Sequence, residues 1–275
     1  GFANNLFTAQ YNTHRILRHK LSREGASFKT QDEVFFAVKN EDFHPTDVLE
    51  DADGSLLIVE TGSWYMEGLF CPLSLVTNTV AKGKIYRIKK KSAKPVTDPY
   101  GNDIQWATLT PQEAVNYLKN DRPFVVARAK QHLIDNGEKS IQALEGAFNN
   151  SFPATAHIQA IFALHGIKSA GALQVITQKG LQDDDTEVQI AAARCLGIAQ
   201  TTSAVPSLRN LLSRTSSAPV RRQVATALGQ IGDAAAIPDL LAAADTASDR
   251  FVRHAIIYSL VTINQPSLVK QALNH

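Results

Sequence analysis

Three stretches near the end of the chain decide its fold: residues 188–197 read VQIAAARCLG, residues 220–229 read VRRQVATALG, and residues 252–260 read VRHAIIYSL. The leucines of a longer series, Leu133, Leu164, Leu196, Leu228 and Leu260, are 31, 32, 32 and 32 residues apart. The segments between them repeat too, since VPSL at residues 205–208 matches IPDL at residues 237–240. A constant period of this kind indicates a solenoid of helical pairs, in which each pair buries its apolar face against its neighbours.

The helical part is predicted to begin at Thr110. Thr110, Pro111 and Glu113 form a capping-box sequence with proline at the first helical position, which is a specific helix-start signal. From there to residue 275 the chain resembles HEAT repeats in their short bacterial form, with about five helical pairs and the start of a sixth at residues 265–274. A single irregular helical bundle would not explain the constant spacing.

Residues 1–91 are predicted to be β-structure, and residues 92–109, which contain Pro95, Pro99 and Gly101, a linker. Short runs rich in β-branched and aromatic residues alternate with turn signals. The predicted strands are Asn5–Tyr11, His14–Leu21, Glu33–Val38, Thr46–Glu50, Ser55–Thr61 and Lys84–Ile88, with a further strand expected between residues 66 and 80. A β-propeller closes with four to eight four-stranded blades. We therefore expect a partial propeller of about two antiparallel blades, followed by the α-solenoid.

Composition and charge exclude some classes of function. With 28 Lys and Arg against 26 Asp and Glu, the formal net charge is +2, which favours neither a nucleic-acid partner nor an anionic membrane. No stretch approaches the ~20 apolar residues of a membrane span, and the first ten residues do not resemble a signal peptide. The two cysteines belong to no CxxC motif, so we predict no metal site and interpret Cys195 as a small core residue.

Residues 43–65 (FHPTDVLEDADGSLLIVETGSWY) and 83–88 (GKIYRI) resemble secreted bacterial membrane-bound dehydrogenase-like or haem-binding proteins. The propeller of that family is similar to sugar and sorbosone dehydrogenases, and HEAT repeats follow it. The resemblance implies an extracytoplasmic oxidoreductase that uses pyrroloquinoline quinone and haem c. Where quinone-dependent members carry an Arg-x-Arg-Asp pattern, this chain has HPTD at residues 44–47. We therefore expect no cofactor in this chain and no activity from it alone.

Candidate site residues in the β-rich part follow from their positions. His44 and Asp47 lie at a predicted strand entrance and could form an acid–base pair; alternatively Asp47 only stabilises the turn at Pro45. The polar turn between the first two strands supplies candidate binding residues for an anionic ligand, which ordinary hairpin chemistry explains equally well. These turn residues are Asn12, His14 and Arg15.

Two aromatic residues and two acidic residues have alternative interpretations as well. Trp64 and Tyr65 could stack on a sugar ring or pack inside the sheets. Asp51 and Asp53 lack the further ligands of a calcium loop, so we predict a hairpin with Asp53-Gly54 at its turn.

Four basic residues recur on the second helices of the repeats. They could line a partner-binding surface, or they could form a polar ladder between neighbouring repeats. These residues are Arg221, Arg222, Arg253 and His254. Two functions from different classes therefore remain open: part of an oxidoreductase with the repeats as a rigid arm, or a non-catalytic protein-binding module built on HEAT repeats with a degenerate propeller platform.

Overall fold

The computed structural model describes residues 5–39, 43–62 and 82–273. The chain divides into two compact units. The first comprises Gly1–Glu24 with Phe28–Pro99, and the second comprises Gly25–Ser27 with Tyr100–His275. Strands lie in the first unit and helices in the second, so the predicted order of β-structure followed by an α-solenoid is confirmed.

The described part of the first unit contains two three-stranded sheets. The first has the order β1-β2-β3 and the second β4-β5-β6. The strands are β1 (Asn5–Gln10), β2 (Arg15–Glu24), β3 (Ser27–Ala37), β4 (Pro45–Glu50), β5 (Leu56–Gly62) and β6 (Lys82–Ile88). β1 is antiparallel to β2, and β5 is antiparallel to both β4 and β6.

The sheets correct two details of the prediction. β3 begins at Ser27 rather than Glu33, because Gly25, with a φ of +56°, turns the chain directly after β2. The expected partial propeller of about two blades is not supported: the described residues form two separate sheets of three strands. The strand expected between residues 66 and 80 lies outside the described residues.

The core of the sheet unit is small and partly aromatic. Ile16, Phe43 and Ile58 are buried together. The rings of Phe36 and Tyr86 contact Phe43 edge-on, with centroids 5.7 and 5.8 Å from it. Such edge contacts add about 0.5–1.5 kcal/mol per pair to the burial of apolar area.

The second unit is a run of helices. They are α1 (Pro111–Ala114), α2 (Pro123–Asp135), α3 (Ile141–Gly146), α4 (Ala154–Ile167), α5 (Ala170–Gln178), α6 (Thr186–Ile198), α7 (Val205–Arg214), α8 (Ala218–Ile231), α9 (Ile237–Asp245), α10 (Arg250–Ile263) and α11 (Pro266–Leu273). The predicted start is confirmed, because Thr110 Oγ1 accepts the Glu113 N–H while the Glu113 carboxylate accepts the Thr110 N–H at 2.8 Å. In the described part of the unit the helices alternate as five pairs followed by α11.

The 32-residue register is visible in the core. Leu133, Leu164, Leu196 and Leu228 are fully buried, and Leu260 is partly buried. Among the second helices of the pairs, α6 packs on α8 and α8 packs on α10.

Glycine permits these second helices to approach closely. A Cβ atom added to Gly229 would lie 2.6–2.7 Å from atoms of Ser259 on α10. Only a residue without a side chain fits at that distance, which explains why Gly197 and Gly229 follow the repeated leucines.

Replacing Asp185 by alanine is expected to lower the free energy of unfolding by about 1 kcal/mol, because its carboxylate caps α6. Asp185 accepts the N–H groups of Glu187 and Val188 at 2.8 and 3.3 Å. Urea denaturation followed by circular dichroism measures the change. The neighbouring Asp184 is exposed and caps no helix, so Asp184→Ala is the matched control. An equal loss in both variants would contradict the capping role.

Candidate partner-binding face

In the sheet unit the structure brings His14 and His44 together. Their rings meet edge to face with centroids 4.9 Å apart, and Tyr11 lies 4.8 Å from the His44 ring. His14 Nδ1 lies 2.7 Å from the Phe43 carbonyl oxygen, which orients its imidazole. Tyr11 was not anticipated from the sequence, because its position in a one-turn helix after β1 resembles an ordinary turn.

The other described candidate residues of the sheets form different contacts. Asp47 is exposed, and its carboxylate accepts the N–H of Val48 at 2.8 Å rather than facing His44. Asn12 is exposed, and the Arg15 Nε donates to Thr13 Oγ1 at 3.2 Å. Trp64 and Tyr65 lie outside the described residues.

The Asp51–Gly54 segment is a turn between β4 and β5, with a φ of +74° at Gly54. Its carboxylates form ion pairs with basic side chains of β6 and of the segment that follows it. Arg87 lies 2.6 Å from Asp51, and Lys89 lies 2.5 Å from Asp53. The hydrogen bond from Lys89 holds the pKa of the Asp53 carboxyl well below its usual range. Across residues 5–39, 43–62 and 82–273, no group of three or more His, Cys, Asp or Glu could hold a metal ion.

Two of the four candidate basic residues on the second helices are engaged within the solenoid. The Arg221 guanidinium donates to the Ala243 carbonyl oxygen at 3.0 Å and to Thr246 Oγ1 at 2.7 Å, which ties α8 to the end of α9. Arg253 donates to the Ala247 carbonyl oxygen at 2.8 Å.

The other two candidates lie beside aromatic rings. The guanidinium of Arg222 lies 5.9 Å from the Phe251 ring centroid and also donates to the Ala26 carbonyl oxygen at 2.9 Å. The His254 ring is stacked parallel to Tyr258, with centroids 6.4 Å apart.

Residues at equivalent positions of α6, α8 and α10 form a face on one side of the second helices, because residues four apart lie on one side of a helix. They are exposed or half-exposed. We call the set the second-helix face, and it consists of Arg194, Ile198, Thr226, Gln230, Tyr258 and Thr262. Ile198 is 54% exposed and Tyr258 is 64% exposed. The sequence contained a signal for this face, since its positions lie two residues before and two residues after Leu196, Leu228 and Leu260.

Cys195 lies next to this face but points into the core. Burial raises the pKa of its thiol to about 11. Because only the thiolate reacts, we expect Cys195 in the folded chain at pH 8 to react with iodoacetamide roughly 100-fold more slowly than in the unfolded chain. Mass spectrometry of the peptide that carries Cys195 measures both rates. Comparable rates in urea and in buffer would contradict its burial.

Comparisons with known proteins agree with this architecture. A family model described as HEAT repeats matches residues 141–212 and 173–261. Over 82 residues the chain is 38% identical to deoxyhypusine hydroxylase from Homo sapiens, a match that covers 30% of this chain and 27% of that relative. The chain thus spans about a quarter of the length of this curated relative. Residues 141–261 form a HEAT-repeat scaffold.

Two solved structures are also similar. Human deoxyhypusine hydroxylase in complex with glycerol has 24% identity and a TM-score of 0.42, with 56% of this chain and 62% of that chain covered. The complex of CpcE and CpcF of phycocyanin lyase from Nostoc sp. PCC7120 has 22% identity and a TM-score of 0.44, with 59% and 68% covered.

The family match and the curated human relative overturn the resemblance to secreted sugar and sorbosone dehydrogenases, which is wrong. The family model describes HEAT repeats and the relative is named a deoxyhypusine hydroxylase, so neither match indicates a dehydrogenase propeller. The stretches on which the resemblance rested include short strands and an Asp-Gly turn, which are features of many antiparallel sheets. Quinone, haem and an extracytoplasmic location were implied by that resemblance alone and lose its support. No helix in the described ranges has the length and apolarity needed to cross a membrane.

Proposed function

We propose that the chain is a non-enzymatic protein-binding module, whose HEAT solenoid recognises a partner protein through the second-helix face. In this proposal the two sheets are a non-catalytic platform. The observation that carries the proposal is the alignment of exposed side chains on three consecutive second helices, including the largely exposed Ile198 and Tyr258. Scattered exposed apolar residues are common on any protein, but a set in register on packed helices makes one continuous surface.

The chemistry of the face suits a protein ligand. Tyrosine and arginine are enriched at protein interfaces, and both occur here, as Tyr258 and Arg194. The Thr226 and Thr262 hydroxyls donate to carbonyl oxygens of their own helices, so a bound partner need not accept a hydrogen bond from them.

The dimensions of the face favour a narrow partner element. The axes of packed helices lie about 8–10 Å apart, so the face extends over ~16–20 Å across α6, α8 and α10. This is the length of a partner helix of roughly 12 residues. We therefore expect the partner to present a helix across α6, α8 and α10.

The test compares partner capture by three forms of the full chain, incubated with extract of the cells that make it and quantified by mass spectrometry. We expect Ile198→Asp/Tyr258→Asp to lose at least about 90% of a protein that the unaltered chain enriches, because two new carboxylates would be desolvated at the interface. Asn210→Asp, on the exposed side of α7, is the control and should retain it. Capture that does not change in the double variant would overturn the proposal.

An enzymatic role is the competing outcome, because the human relative is named a hydroxylase. The same purified chain is incubated with a deoxyhypusine-bearing protein, and hydroxylation is followed by mass spectrometry. Repeated turnover by the unaltered chain would contradict a purely non-enzymatic module. No turnover, together with loss of capture in the double variant, is the result that the proposal expects.

A further inference from the structure

The sheet unit carries a groove whose lining residues all belong to that unit. Its volume is about 1080 Å³, and residues of both sheets and of the segment after β6 line it. The groove is large enough for a peptide segment, since ligand-binding clefts commonly enclose 300–1,000 Å³.

The floor of the groove is apolar and open to solvent. Phe7 and Phe35 lie edge to face with ring centroids 4.9 Å apart. Two further lining residues are open to solvent, since Leu6 is 51% exposed and Val96, in the segment after β6, is 37% exposed. These side chains offer apolar area that a bound segment would remove from water.

The rim of the groove is basic. Its described lining contains four cationic residues and two carboxylates: Arg18, Lys89, Lys90, Lys94, Glu50 and Asp53. Lys89 is paired with Asp53 and Arg18 with Glu33, at 2.5 and 3.0 Å. Lys90 and Lys94 are exposed and form no ion pair with residues in the described ranges. The groove lining therefore carries an excess of positive charge in addition to its apolar residues.

We propose that this groove binds an acidic amphipathic segment of a partner protein, in which carboxylates alternate with large apolar residues. The alternation fits because successive side chains of an extended segment point to opposite sides. The apolar side chains would contact Leu6, Phe7 and Val96, and the carboxylates would approach Lys90 and Lys94. Charge complementarity selects this partner over a neutral apolar one.

The probe is a fluorescent eight-residue peptide that alternates leucine with glutamate, titrated with the full chain and followed by fluorescence polarisation. We expect saturable binding that weakens as salt rises from 20 to 300 mM, because the rim charges are exposed and screened. Lys90→Glu/Lys94→Glu should raise the dissociation constant at least about tenfold, since it turns two attractions into repulsions. Leu6→Asp should raise the dissociation constant as well, because the new carboxylate would repel the glutamates of the peptide.

The matched control is Lys29→Glu/Lys139→Glu, which changes net charge equally at exposed positions outside the groove and should leave the dissociation constant within about twofold. Equal binding of a leucine–serine peptide, no binding of the leucine–glutamate peptide, or an equal loss in the control would overturn the proposal. So would a dimer of the unaltered chain in sedimentation that Leu6→Asp dissociates, because a second copy would then occupy the groove.

Discussion

Leu228→Ala is expected to lower the free energy of unfolding by about 2–5 kcal/mol. Leu228 is fully buried in α8, and α8 packs against both α6 and α10. Truncation removes apolar contacts and leaves a cavity that packed helices fill only in part. Because each helical pair is stable only on its neighbours, the loss extends to the pairs on either side. Urea denaturation followed by circular dichroism measures it.

The matched control for this substitution is Ile198→Ala on α6. Ile198 is an equally large aliphatic residue, but it is 54% exposed, so its truncation should change the unfolding free energy by only about 0.5 kcal/mol. A loss at Leu228 well under 1 kcal/mol, or one no larger than at Ile198, would contradict the 32-residue register.

Gly229→Val is expected to destabilise the chain by about 1–3 kcal/mol or more, although it adds apolar volume. Its Cβ would lie 2.7 Å from the Ser259 Cα atom, so the clash involves backbone that cannot rotate away. The backbone of α8 and α10 would have to separate, which weakens the hydrogen bond of 2.8 Å from Ser259 Oγ to the Ala225 carbonyl oxygen. Thermal and urea unfolding measure the change.

Gly146→Ala is the control for the glycine substitution. No atom lies within 4 Å of a Cβ added to Gly146 at the end of α3. Alanine there should be neutral or should stabilise the chain by about 0.4–1 kcal/mol, because it restricts the unfolded state. If Gly229→Val lowered the free energy of unfolding no more than Gly146→Ala, the close approach of α8 and α10 would be contradicted.

The solenoid could be predicted from the sequence because its signal is long-range and periodic. The repeated leucines at positions 196 and 228 fix the buried side of each second helix, and the glycines that follow them mark where the next helix approaches. The sheets gave no such signal. Short strands of six or seven residues, such as β4 and β5, are compatible with many antiparallel folds, so neither the grouping of the strands nor a family could be derived from them.

The functional surfaces were only partly accessible from the sequence. Repetition drew attention to Arg221 and Arg253, but both donate to carbonyl oxygens inside the solenoid. Ile198 and Tyr258 were not singled out from the sequence, because apolar composition alone does not say which side of a helix is covered. The groove in the sheet unit joins Leu6 to Val96, which are far apart in the sequence, so no local pattern could have indicated it.

Site-specific photocrosslinking tests the binding role of the second-helix face most directly. A benzoylphenylalanine replaces Arg194, Thr226 or Tyr258 in turn, and Asn210 or Ala242 on the first helices as controls. Each chain is irradiated in extract of the cells that make the protein, and the products are identified by mass spectrometry. We predict that the three face positions crosslink the same protein and that the two controls do not. Crosslinks to that protein from the controls as readily as from the face, or none from all three face positions, would contradict the account.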